Sequence, residues 1–274
     1  MQQHQRAAFL QAGFGKARLA HGACLRRSAP RRPALTCRAQ QVVSGSCYED
    51  IIESLADRAL RGADASGRRR IIGIAGGPGS GKSTLALAVV ASLNARRPGS
   101  AAVLPMDGFH YYRRELDAMS DPKEAHARRG APWTFDAAKF VGAVARVRGA
   151  GAGEVVRVPS FDHGVGDPVE ADIAIPAEAA VVVVEGNYVL LPDAPWSSLL
   201  PLLDEAWFVD CPLDTAMERV FQRQTGIGLA PEVSRVRIAT NDRPNAELIA
   251  ASKHRATLLV PSTVPFRSGR GAAA

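Results

Sequence analysis

The sequence has little cysteine. There are 4 in 274 residues, with Cys24, Cys37 and Cys47 near the N-terminus and Cys211 far from them. That spread excludes a disulfide framework and a cysteine-based zinc site. Long apolar runs are also missing. The stretch of alanine and valine at 179–184 is far below the roughly 20 residues that cross a bilayer, so no membrane partner is expected. Acidic residues are absent from the first 48 positions, which hold Arg6, Lys16, Arg18, Arg26, Arg27, Arg31, Arg32 and Arg38. Beyond them, 26 basic residues face 27 acidic ones, so the net charge of +7 belongs to the start of the chain. The body has neither a cationic surplus nor an aromatic-and-basic pattern for nucleic acid, and no nucleic-acid partner is expected.

An arginine-rich, acid-free opening in which Phe9, Phe14 and Leu19 interleave with Lys16 and Arg18 reads as an organelle transit peptide. Residues 7–10 are too few for the apolar core of a secretory signal. Leu35, Thr36, Cys37, Arg38 and Ala39 resemble a plastid processing region, which favours the chloroplast over the mitochondrion. The expected organisation is a disordered leader over 1–47, one domain over 48–266 and a disordered tail over 267–274.

Within the body, apolar positions recur at helical spacing over 48–62, predicting an amphipathic helix closed by Gly62 and a polar connector over 63–70. Strands are expected at 71–75, 101–106, 181–184 and 206–209, with helices at 83–93, 136–147 and 215–223. Asp136 is placed to cap the helix it opens. Strands alternating with helices indicate an α/β, doubly wound parallel sheet with helices on both faces. Residues 154–159 and 171–176 break the alternation and read as a hairpin projecting from the sheet edge.

Gly76-Gly77-Pro78-Gly79-Ser80-Gly81-Lys82-Ser83 fits the Walker A pattern G-x-x-x-x-G-K-[ST] between a strand and a helix. Its glycines let successive backbone N–H groups approach phosphate oxygens, and the following helix directs its positive end at the same anion. Lys82 supplies a cation for the β- and γ-phosphates, Ser83 a hydroxyl for Mg²⁺, and Thr84 a hydroxyl at the α-phosphate end. ATP and Mg²⁺ are the expected cofactors of this P-loop NTPase.

Two acidic positions follow strands. Glu185, after 181–184, is placed to serve Mg²⁺ directly or through water, with Asn187 and Tyr188 either facing the substrate or forming the turn. Asp107, after 101–106, is placed to orient an attacking hydroxyl and accept its proton. His110 reads as a packing or substrate-edge residue.

The combination of residues 76–84 with Met106-Asp107-Gly108-Phe109 and Val184-Glu185-Gly186 resembles the uridine kinase, pantothenate kinase and phosphoribulokinase superfamily over about residues 70–260. Residues 128–136, 159–163 and 241–245 resemble its uridine kinase-like branch, whose acceptor is undefined. The resemblance implies a five-stranded parallel sheet, a β-hairpin over the acceptor pocket and an arginine-bearing lid. It implies Asp107 as catalytic aspartate, Glu185 as the metal-side glutamate, and Arg219 and Arg223 as lid arginines. Four residues apart on one helix face, those arginines can meet charge on the transferred phosphoryl group. Asp162, His163 and Trp133, with Tyr188, are the acceptor-pocket candidates. Residues 128–136 are nearer to pantothenate kinase, whereas 159–163 resemble the Tyr-Asp of uridine kinase with Phe161 in place of the tyrosine. The small-molecule hydroxyl acceptor is therefore open among nucleoside-like, pantothenate-like and sugar compounds, and a homodimer is compatible with the sequence.

A GTPase would carry an Asn-Lys-x-Asp motif, which is absent. An ATP-binding regulatory pseudokinase would lack part of the set Lys82, Ser83, Asp107 and Glu185, all of which are present.

Overall fold

The computed structural model describes residues 40–151, 153–162 and 164–266. The leader up to residue 39, the tail 267–274 and His163 lie outside the described residues. In chain order the elements are β1 (Gln41–Val42), α1 (Tyr48–Ser66), β2 (Arg70–Ala75), α2 (Lys82–Arg96), β3 (Ala101–Pro105), α3 (Arg113–Asp117), α4 (Pro122–Ala127), α5 (Ala137–Gly149), β4 (Val156–Asp162) and β5 (Asp167–Ile175). There follow β6 (Val181–Gly186), β7 (Glu205–Asp210), α6 (Leu213–Gly226), α7 (Pro231–Arg237), α8 (Arg243–Ala251) and β8 (Leu258–Pro261).

Six strands form one parallel sheet in the order β1-β8-β7-β2-β6-β3. The α/β, doubly wound architecture agrees with the sequence pattern, but the implied five strands are six. The additional edge strand is β1, whose Gln41 and Val42 pair with Leu258 and Leu259 of β8. Folded chain therefore begins before residue 48, inside the segment assigned to the leader.

Chemistry makes the central strands what they are. β6 begins with four valines, all fully buried. Val182 and Val184 pack in one core with Phe140 and Val144 of α5, while Val181 and Val183 join Leu55 of α1 and Leu85 and Val89 of α2 in a second. A strand covered on both faces needs no polar alternation. Each buried valine contributes about 1.5–3 kcal/mol relative to exposure.

The first helix runs past its expected end. Gly67, at φ 62°, caps α1 and donates its N–H to Ala63 O at 3.1 Å. Gly62 lies inside the helix, where a Cβ would fall 2.2 Å from the Arg70 guanidinium carbon. Its bare face leaves room for Arg70, which reaches Glu205 Oε1 at 2.5 Å. At α5 the expected cap is present, since Asp136 Oδ1 accepts from Lys139 N at 2.8 Å.

β4 and β5 form the hairpin, an antiparallel pair longer than the sequence runs suggested. Its backbone presses on the turn after β3, for a Cβ on Gly108 would lie 2.2 Å from Pro159 O. Only glycine fits there, and that contact sets the hairpin beside Asp107.

Candidate active site

Strand register assembles the site. β2, β6 and β3 are neighbours, and Glu185 of β6 is level with Ile74 on one side and Pro105 on the other. Neighbouring strands lie about 4.8 Å apart, so the loop after β2, the Glu185 carboxylate and the Asp107 turn after β3 emerge side by side. This is the edge at which ligands meet open α/β sheets.

The loop from Gly76 to Gly81 leads directly into α2, which starts at Lys82. Gly79 has φ 75°, and a Cβ on it would fall 2.1 Å from Ala216 O of α6. Both its backbone and its packing demand glycine. Ser80 N donates to Gly77 O at 3.1 Å, tightening the turn. Gly77 abuts Ala246 of α8, and Pro78 lies between these contacts. Ser83 and Thr84 are exposed at the open end of α2, where the free N–H groups of the first turn attract phosphate.

Glu185 is buried, and its Oε2 accepts from Ser83 Oγ at 3.1 Å. Burial pushes its carboxyl up to about 7, opposed by the Lys82 cation, reinforced by the Asp107 charge and opposed again by the Ser83 bond. Lys82, Asp107 and Ser83 thus all act on one carboxylate, Ser83 through a direct hydrogen bond. Hard divalent cations take oxygen ligands, with Mg²⁺ often held by one or two carboxylates plus substrate phosphates. The Ser83 hydroxyl beside Glu185 fits that requirement.

Asp107 lies on a single-turn 3-10 segment, Met106–Phe109, and is half-buried. His110 Nδ1 lies 2.8 Å from Asp107 O. Its ring sits between Phe135 and Phe161, at centroid separations of 3.9 and 4.7 Å. That packing suits the expected edge role for His110.

The acceptor candidates separate. Asp162 accepts at Oδ1 from Gly164 N and Val165 N, at 2.7 and 3.2 Å. Through these bonds it builds the hairpin turn. Trp133 is 47% exposed and lines a cavity of about 430 Å³ with Tyr111, Trp196 and Leu248. Tyr188 is fully buried among Phe135 and Trp196 and donates its hydroxyl to Gly130 O at 2.6 Å. Burial raises its pKa. Tyr188 thus supports the loop 128–130 instead of facing a substrate. The Asn187 side-chain oxygen is buried without a hydrogen-bond partner.

Arg219 and Arg223 line a cavity of about 370 Å³ with residues 79–85. Arg219 Nη2 donates to Ser262 O at 3.0 Å, and its Nη1 lies 3.5 Å from Gly79 O. Here its guanidinium fastens the chain after β8 to the phosphate loop. Arg223 lies one turn farther along α6 in the same wall.

Sequence reasoning missed how the branch motifs join. Asn241 Oδ1 accepts from Arg128 Nε at 3.2 Å and from Asn245 Nδ2 at 3.0 Å, and Asn241 Nδ2 donates to Arg129 O at 3.0 Å. Asn241 lies on Ile238–Asp242, a wide-turned π-helical segment between α7 and α8. The quoted motifs held these residues, but their mutual contact has no signal along the chain.

A P-loop at the centre of a doubly wound sheet, flanked by two strand-end carboxylates and roofed by a hairpin, defines a P-loop phosphotransferase. The chain belongs to the Phosphoribulokinase / Uridine kinase family, whose model matches residues 71–226. It is 44% identical over 164 residues to the Schizosaccharomyces pombe protein named "Putative uridine kinase C227.14", spanning 59% of this chain and 69% of that one. It is 39% identical over 160 residues to the "ATP-dependent kinase-like protein notR'" of Aspergillus versicolor, spanning 57% and 93%. Among solved structures, the "putative fructose transport system kinase" of Silicibacter sp. TM1040 has a TM-score of 0.67 at 30% identity, covering 76% of this chain and 98% of that one. The chain is an ATP-dependent kinase of this family. Among the described residues no helix is long and apolar enough to cross a membrane.

Proposed function

We propose that this kinase transfers the γ-phosphate of Mg²⁺-bound ATP to a hydroxyl of a small, nucleoside-like metabolite, with pantothenate-like and sugar acceptors as the alternatives. The observation that carries the reading is the convergence of Lys82, Ser83, Glu185 and Asp107 at the ends of three adjacent strands, beside the hairpin. Loop amides and the start of α2 hold the triphosphate, and Lys82 neutralises its outer oxygens. Bound at Ser83 and Glu185, Mg²⁺ would offset charge on the β- and γ-phosphates. Asp107 aims the acceptor oxygen at phosphorus and takes its proton, and Arg223 adds positive charge from α6. Catalysis here is mainly positioning and electrostatics. A binding-only pseudokinase is disfavoured because all four groups are retained and adjacent.

An ATP-consumption screen with nucleosides, pantothenate, sugars and glycerate tests the reading. One acceptor class is expected to raise ADP release well above the rate with ATP alone. Phosphorylation of none of them, under conditions where the protein binds Mg·ATP, would overturn the acceptor assignment. The arginine-rich, acid-free start supports import into the chloroplast, with the mitochondrion as alternative. A fluorescent fusion of residues 1–48 that stayed in the cytosol would remove that part.

A further inference from the structure

The cavity of about 430 Å³ that Trp133 lines is built by residues from the turn after β3, the start of α5, the chain after β6 and α8. Neither Asp107 nor any residue of 76–84 lines it. Four aromatic side chains do: Tyr111, Trp133, Phe135 and Trp196. Its charged lining residues are Asp136 and Asp193, and no lysine, arginine or histidine accompanies them. The phosphate-loop cavity is the reverse, with Lys82, Arg219 and Arg223 in its lining and no carboxylate. The two cavities therefore suit ligands of opposite charge.

Both carboxylates keep their charge uncompensated. Among the described residues neither is in an ion pair; Asp136 Oδ1 accepts from Lys139 N, and the exposed Asp193 side chain has no hydrogen bond. Burial raises the pKa of the Tyr111 hydroxyl, and the Asp136 and Glu115 charges raise it further, so the field at this phenol is negative. Trp196 is buried and meets Phe135 edge to face at 6.1 Å. Trp133, on the short turn Pro132–Thr134, is half-exposed, as is Leu248. Large apolar side chains left exposed at a concave site mark a binding surface. Tryptophan is also the aromatic residue that attracts a cation most strongly. Aromatic faces and free carboxylates together match an organic cation with an apolar body, whereas an anion would be repelled by both aspartates.

We propose that this cavity is a second ligand site, apart from the phosphate loop, which binds a small organic ammonium ion through Asp193, Asp136 and the rings of Trp133 and Trp196. The inference does not depend on which acceptor the kinase uses. The probe is phenethylammonium, with phenethyl alcohol as a neutral compound of nearly the same shape. In calorimetry of the full chain, the ammonium ion should bind about threefold or more tightly than the alcohol, as a cation over an aromatic face does. Trp133 and Asp193 lie at the surface, so changing them leaves the buried core intact, and Asp136 stays in place because it caps α5. Asp193→Asn should weaken the ammonium ion about threefold or more and alter the alcohol less than about twofold. Trp133→Ala should weaken the ammonium ion by a similar factor, and Trp133→Phe should recover part of the loss. A wild-type chain that bound the ion and the alcohol equally, or bound neither, would overturn the site. So would ammonium affinity left unchanged by either Asp193→Asn or Trp133→Ala.

Discussion

Ser83 and Glu185, separated by 102 positions in sequence, meet through a hydrogen bond of 3.1 Å from the serine hydroxyl to Glu185 Oε2. One residue lies in the first turn of the helix after the phosphate loop and the other near the end of the neighbouring strand, so the bond joins the two elements at the mouth of the site. Replacing Glu185 by Gln keeps the shape and removes the charge. We expect the Mg²⁺ concentration for half-maximal turnover to rise about 10- to 100-fold, the range for weakened support of a bound metal. A magnesium titration of ATP consumption reads this directly, and an unaltered requirement would detach Glu185 from the metal.

Asp107→Asn should lower turnover by about 100-fold or more, because the amide cannot accept the acceptor proton. Mg·ATP affinity should be nearly unchanged. Turnover close to wild type would rule Asp107 out as the base.

Lys82→Ala removes the loop cation. Both Mg·ATP affinity and turnover should fall, as expected for a cation that attracts the triphosphate before transfer and offsets charge during it. A loss confined to affinity, with turnover at saturation intact, would restrict Lys82 to ground-state binding.

Tyr188→Phe deletes the hydroxyl bonded to Gly130 O and leaves the ring among Phe135 and Trp196. A stability loss of about 1 kcal/mol is expected from one such bond. Once an acceptor is known, its KM should rise while Mg·ATP affinity holds, because the loop 128–130 is loosened and the P-loop is not. Urea unfolding and steady-state kinetics check the two halves separately.

Asp242 is a buried carboxyl that accepts from Gln224 Nε2 at 3.0 Å. Burial raises its pKa, against the lowering influence of Gln224, Arg237 and Arg223. A folded-state pKa above the unfolded value gives stability that is complete below the unfolded pKa and is lost as pH rises through the folded one. Asp242→Asn escapes that decline. The melting temperature of the variant relative to wild type should therefore rise as pH increases from about 4, the ordinary aspartate range, through the raised folded-state pKa. A constant difference would show that Asp242 carries no such linkage.

The parts of the site legible in the sequence are those whose chemistry is local. The Walker loop is one uninterrupted segment, and Asp107 and Glu185 each stand beside a short apolar strand that the hydrophobic pattern reveals. Gly62 misled because glycine ends helices often, whereas here it accommodates Arg70 from the next strand. β8, only four residues long, passed unnoticed, and β1 is a strand solely because β8 offers it an edge. The motifs make Asp162 an acceptor candidate and leave Tyr188 either facing the substrate or forming the turn. The structure gives one to Gly130 O and the other to the hairpin turn.

By itself the sequence determined that a phosphate-binding loop joins a buried strand to a helix, that two carboxylates follow other strands, and that the surplus of positive charge is confined to the start. Backbone conformation and hydrophobic periodicity act over a few residues, so a linear reading can recover them. Only the tertiary structure decided that β6 lies between β2 and β3, bringing Glu185 between the loop and Asp107. It also decided that Arg219 holds the chain beyond β8, and that Asn241 binds the 128–130 loop. Those relations arise from strand order and from side chains meeting across 43 residues in one case and 112 in the other, which no local pattern encodes.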